Sequence, residues 1–89
     1  MKIRYTKQAA KTLKAYDKNT RDLIREKIFG LTKTPPEGDI KSLQGSKTEK
    51  RLCVGKYRVI YEYLKETKEK ITIKILMVNK IDSRGDIYK

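Results

Sequence analysis

At 89 residues the chain has room for one domain with one modest core, and 23 Lys and Arg against 11 Asp and Glu give it a formal charge of +12. No histidine and a single cysteine, Cys53, exclude Ser-His-Asp and Cys-His catalysis, a disulfide within the chain and the usual zinc sites. The positive excess predicts a polyanionic partner, nucleic acid or an acidic protein segment, held by an attraction that weakens with salt.

The opening residues, Met1-Lys2-Ile3-Arg4-Tyr5, form no apolar signal run, and no stretch is apolar enough to span a membrane. A cytoplasmic protein is expected, with Cys53 a small strand residue. There is no Ca²⁺ loop and no glycine-rich phosphate loop, so no metal and no small-molecule cofactor is expected. Any chemistry would fall to Lys, Arg and Tyr.

Residues 2–5 alternate as a short strand. Thr6 then suits the cap of a helix running to about Asp17, with Ala9, Ala10, Leu13 and Tyr16 on one stripe. Asn19, with Asp22 three residues on, suits the cap of a second helix whose apolar face is Leu23, Ile24, Ile28 and Leu31. Thr34-Pro35-Pro36-Glu37-Gly38 ends it. The two helices make an αα-hairpin that must cover an apolar surface. Residues 39–45 read as a loop or abortive turn with Leu43 anchored inward, and residues 47–50 as a polar link.

Two runs rich in Leu, Val, Ile and Tyr flank Gly55-Lys56, and glycine first in a two-residue loop suits a type II′ turn. Counting outward pairs Val54 with Tyr57, Cys53 with Arg58, Leu52 with Val59 and Arg51 with Ile60. Alternation then sets Leu52, Val54, Tyr57, Val59 and Tyr61 on a core face, and Arg51, Cys53, Arg58, Ile60 and Glu62 on the other. The diagonal Arg51 and Arg58 stand ~7 Å apart, within reach of one phosphate or two neighbouring ones. A wet sheet face also carries charges for solubility alone, so either arginine can instead pair with Glu49 or Glu62.

Residues 65–70 read as a turn into a last strand, 71–78, with Ile71, Ile73, Ile75 and Met77 inward and Thr72, Lys74 and Leu76 outward. The tail from Asn79 is too polar for a core strand and is expected to fold over the open face or along its edge, bringing Arg84 and Tyr88 towards Arg58. The fold expected for residues 1–89 is a single α+β domain of order β-α-α-β-β-β. Its sheet is four-stranded and antiparallel, mixed at one edge, with the αα-hairpin on one face.

Three motifs carry a resemblance: Leu43-x-Gly45; Arg51-Leu52-x-Val54-Gly55-x-Tyr57-Arg58-Val59-Ile60-Tyr61-Glu62; and Arg84-Gly85-Asp86-Ile87-Tyr88. Together with element order and size, they make the chain resemble toxins of the RelE/ParE superfamily of toxin–antitoxin pairs. The RelE-like branch is the nearer likeness. That resemblance implies an mRNA endoribonuclease, or mRNA interferase, acting in the ribosomal A site without metal and neutralised by an acidic cognate antitoxin. The ribose 2′-hydroxyl attacks the adjacent phosphate, a reaction needing a base, cations on the phosphoryl oxygens and a proton for the departing 5′-oxygen.

On the family pattern Arg58 matches the phosphate-binding arginine and Arg51 a basic strand residue that stabilises the transition state. Arg84 matches the C-terminal basic residue of leaving-group protonation, and Tyr88 the terminal tyrosine that stacks on a base or handles the 2′-hydroxyl. RelE presents two lysines two apart on the strand where Glu49 and Arg51 stand here, and arginine stays protonated and makes a poor base. Lys50, Lys56 and Lys80 are the substitutes, as phosphate contacts or as a base of lowered pKa, against a plain role in solubility. The resemblance also admits a ParE-like toxin that inhibits DNA gyrase by protein binding and cuts nothing. A non-catalytic RNA-binding module is a third reading, but it lacks clustered exposed aromatics.

Overall fold

The computed structural model describes residues 1–83; Arg84 and Tyr88 lie outside the described residues. In chain order the elements are β1 (Lys2–Tyr5), α1 (Lys7–Ala15), α2 (Lys18–Gly30), β2 (Asp39–Ser42), β3 (Lys50–Val54), β4 (Tyr57–Lys68) and β5 (Ile71–Ser83). They build one five-stranded sheet of order β1-β5-β4-β3-β2, with β1 parallel to β5 and the other pairs antiparallel. The α+β class is as expected. The fifth strand is β2, in the segment expected to be a loop: it pairs with β3, Ile40 opposite Leu52, and extends the sheet by one edge.

Thr6 caps α1 as expected, its hydroxyl accepting from the Ala9 N–H at 3.2 Å while donating to the Asn79 carbonyl at 2.7 Å. One residue thus starts the helix and ties it to β5. The first helix ends at Ala15, and α2 takes Asp17 as its N-cap, two residues before the expected Asn19. The buried face of α2 is narrower than expected: Ile24 and Ile28, one turn apart, are fully covered with Leu31, while Leu23 is 44% exposed.

The central hairpin has the register that counting gives, from Val54 opposite Tyr57 to Arg51 opposite Ile60, and Gly55 turns it at φ +57°. Leu52, Val54, Val59 and Tyr61 are buried in the cluster beneath the helices, and Tyr57 packs against it. The Tyr63 hydroxyl donates to the Leu31 carbonyl at 2.9 Å, pinning the end of α2 to β4. Gly38, at φ +126°, passes so close that a Cβ there would come within 2.6 Å of Leu52.

Three expectations for the second half are corrected. Residues 65–68 continue β4 and Asn79–Ser83 continues β5, so the connecting turn is only Glu69-Lys70, both at positive φ. The polar tail from Asn79 therefore begins as core strand, with Ile81 fully buried. The inward face of β5 is the reverse of that expected: Leu76 and Val78 join the core cluster, whereas Ile71 is 63% exposed. The physical cause is support. Residues 71–74 pair only with β4, in a two-stranded ribbon past the ends of β1 and β3, so their alternation does not set the core phase.

A bulge completes the sheet. Ile60 pairs with Lys80 but Tyr61 with Val78, leaving Asn79 as the extra residue. The one-residue shift keeps both Val78 and Ile81 on the core face.

Candidate functional site

On the sheet face away from the helices the pairings stack two rows of side chains. One runs Lys41, Arg51, Ile60, Lys80 and the next Asp39, Cys53, Arg58, Asp82. Arg51 and Arg58 are diagonal neighbours there, as the hairpin count predicts. Lys80 joins them through the extended β5.

Arg58 forms a two-pronged pair with Asp82: its Nε donates to Oδ1 at 3.1 Å and its Nη2 to Oδ2 at 2.9 Å, both side chains being 25% exposed. Lys80 Nζ lies 3.8 Å from the same carboxylate. The bulge makes this possible, since an unbroken ladder would set Ile81 opposite Arg58. Sequence reading, which placed Asp82 in the tail, missed the acid. Counting back from the Glu69-Lys70 turn would have set Ile81 opposite Arg58, so no signal in the sequence points to Asp82.

The alternative acids are engaged elsewhere. The Asn79 amide nitrogen donates to Glu49 at 2.9 Å and to Glu62 at 2.8 Å. Among the described residues Arg51 has no ion pair, and its buried Nε has no hydrogen-bond partner. Lys41, unnoticed in sequence because its segment read as loop, stands directly opposite Arg51. Its like charge adds positive potential to that row.

Two expected phosphate contacts fall elsewhere. Lys50 is two residues from Leu52 on the same strand and so takes the helix-side face, where it is exposed. Lys56 sits in the hairpin turn with its ammonium 5.5 Å from the centre of the Tyr57 ring, a cation–π contact. A hollow of about 310 Å³, lined among others by Leu31, Pro36, Tyr63, Lys65 and Lys74, contains none of the expected site residues. Among the described residues no three of Asp, Glu and Cys cluster as a metal site, and no helix is long and apolar enough to cross a membrane.

Burial raises the Tyr61 phenol well above its ordinary value, and Tyr5 and Tyr63 are raised for the same reason. The core tyrosines therefore stay protonated at neutral pH. None of them supplies a base.

The described face can thus bind an anion through two diagonal guanidinium groups and one ammonium, with a carboxylate already among them. A model of the family described as "ParE toxin of type II toxin-antitoxin system, parDE" matches residues 3–82. Among solved structures the chain resembles one in the RelB-RelE antitoxin-toxin complex from Methanococcus jannaschii, at 22% identity and a TM-score of 0.65, covering 94% of this chain and 93% of that one. No curated protein sequence matches the chain.

Proposed function

The chain belongs to the ParE toxin family of type II toxin–antitoxin systems, within the RelE/ParE superfamily, and from that premise we propose that it is a metal-independent endoribonuclease of messenger RNA. The observation that carries this reading is the arrangement of Arg51, Arg58 and Lys80 on one sheet face, the one away from the helices. In-line attack of a ribose 2′-hydroxyl puts extra negative charge on the phosphoryl oxygens. Arg51 and Arg58 stabilise it, and Lys80 adds a third positive charge. Tyr88 stacks on a base or takes the 2′-hydroxyl proton, and Arg84 neutralises the charge on the departing 5′-oxygen, which takes its proton from water. The ribosomal A site presents the message.

Asp82 has a positioning role in this scheme: it fixes the plane of the Arg58 guanidinium, and an incoming phosphate competes with it for that fork. The partner that silences the toxin is an acidic antitoxin, a reading supported by the +12 charge and by the antitoxin in the similar solved complex.

A second reading is favoured by the same ion pair. An Arg58 already neutralised by Asp82 suits a surface built for a protein target, as in a gyrase inhibitor that cuts nothing. The deciding experiment adds the protein to a translation extract containing EDTA-treated enzyme stock, maps RNA ends by primer extension, and runs a gyrase supercoiling assay in parallel. Nuclease action gives new RNA ends that Arg58→Ala reduces by about 10²–10³-fold with the fold intact. Cleavage untouched by that change removes the site assignment, and lost supercoiling without RNA ends selects the gyrase reading.

A further inference from the structure

The helix layer stops short of the sheet. α2 ends at Gly30, while β4 runs on to Lys68 and β5 begins at Ile71, so a ledge of paired strand projects past the last turn of the helix. The hollow of about 310 Å³ lies in the angle between them. Leu31 and Pro36, from the end of α2 and the chain that leaves it, make its wall, and Tyr63, Lys65 and Lys74 make its floor. The hydrogen bond from the Tyr63 hydroxyl to the Leu31 carbonyl joins floor to wall. Lys65 is four residues from the buried Tyr61 on the same strand, so it and its register partner Lys74 share the helix-side face, opposite to that of Arg51 and Arg58. The hollow is therefore separate from the arginine face.

Two properties of this hollow together define what it can hold. Its surface is mostly apolar, and its volume is at the lower end of the ~300–1,000 Å³ of small-molecule sites. Its charged lining is all of one sign: Lys33, Lys65 and Lys74, with no acid. Lys33 is neutralised by Glu37 at 2.9 Å. Lys65 and Lys74 have no ion pair among the described residues, and they stand directly opposite each other, where like charges repel. An anion between them removes that repulsion.

We propose that the hollow binds a small amphipathic anion, an aromatic or short apolar group carrying one carboxylate or phosphate. The apolar part packs on Leu31, Pro36 and the Tyr63 ring, and the head group sits between the Lys65 and Lys74 ammonium groups. Both parts are needed, because exposed lysines alone hold an anion weakly and the apolar body supplies the buried area. A second copy of the chain would bring another +12 against these lysines. The site goes beyond the RNA reading and does not depend on it.

The probe is 2-naphthoate, titrated into the full chain at 0.15 M salt and followed by amide NMR shifts. Naphthalene-2-carboxamide is the neutral isostere, acetate the charge alone, and 2-naphthyl phosphate the other head group. 2-Naphthoate should shift the amides of Leu31, Tyr63, Lys65 and Lys74 and bind about tenfold more tightly than the carboxamide, while acetate leaves those amides unmoved. Lys65→Gln with Lys74→Gln should weaken it about tenfold, and Lys11→Gln with Lys14→Gln, at two exposed lysines of α1, less than about twofold. The tighter of the two naphthyl anions assigns the head group. Equal binding of naphthoate and carboxamide, a Lys65/Lys74 double variant that binds as well as the parent, or shifts centred on Arg51 and Arg58 would overturn the site. So would a concentration-dependent dimer of the free chain that shifts the same four amides, because the hollow would then be filled by a second copy.

Discussion

Arg58 and Asp82 hold each other through two hydrogen bonds at 25% exposure, between the exposed pairs that contribute little and the buried ones whose single removal is costly. Asp82→Asn should therefore destabilise the fold by about 1–2 kcal/mol, read from denaturant midpoints. Replacing both partners by apolar residues of similar size, Arg58→Met with Asp82→Leu, should cost less than the sum of the singles. Additive costs would mean that the two do not interact. At this scale the hairpin half of the site was legible, because a two-residue turn at Gly55-Lys56 fixes every pair by counting. Asp82 and Lys41 were not, because each lies in a segment whose polarity hides that it is strand.

The correction to β5 is an element-scale matter. Its first four residues alternate apolar and polar as cleanly as any in the chain, yet they lie in the ribbon past the ends of β1 and β3, while the less regular Leu76, Val78 and Ile81 are the ones that join the core. Leu76→Ala should cost about 2–5 kcal/mol and Ile73→Ala less than about 1 kcal/mol, measured by chemical denaturation. The reverse order would restore the simple alternation. The helices were the most legible elements: Thr6 has a hydroxyl where a cap is needed, and the 3.6-residue stripes of both face the sheet. Their ends shifted by two residues because Asp17 is itself extended and takes over as cap.

For the whole molecule, charge is the dominant liability. At neutral pH the formal charge is +12, and protonating its 11 carboxylates takes it towards +23. Asp22, held below the usual carboxylate range by its hydrogen bond from Lys18, keeps that bond at neutral pH and loses its contribution as pH falls through the lowered value. Stability should thus fall on acidification. Raising salt from about 0.01 to 0.1 M, which shortens the screening length from about 30 to 10 Å, should raise the melting temperature by ~3–6 °C, followed by calorimetry. A melting temperature lowered by salt would mean that attractive pairs outweigh the repulsion. By itself the sequence determined the class of fold, the helical pair, the hairpin register and the diagonal of two arginines, all of which rest on local periodicity and turn chemistry. Only the tertiary structure decided which face of β5 is buried, that residues 39–42 become an edge strand, and which acid Arg58 meets. Those depend on where non-local strands end and on a one-residue bulge at Asn79, and neither leaves a periodic trace in the chain.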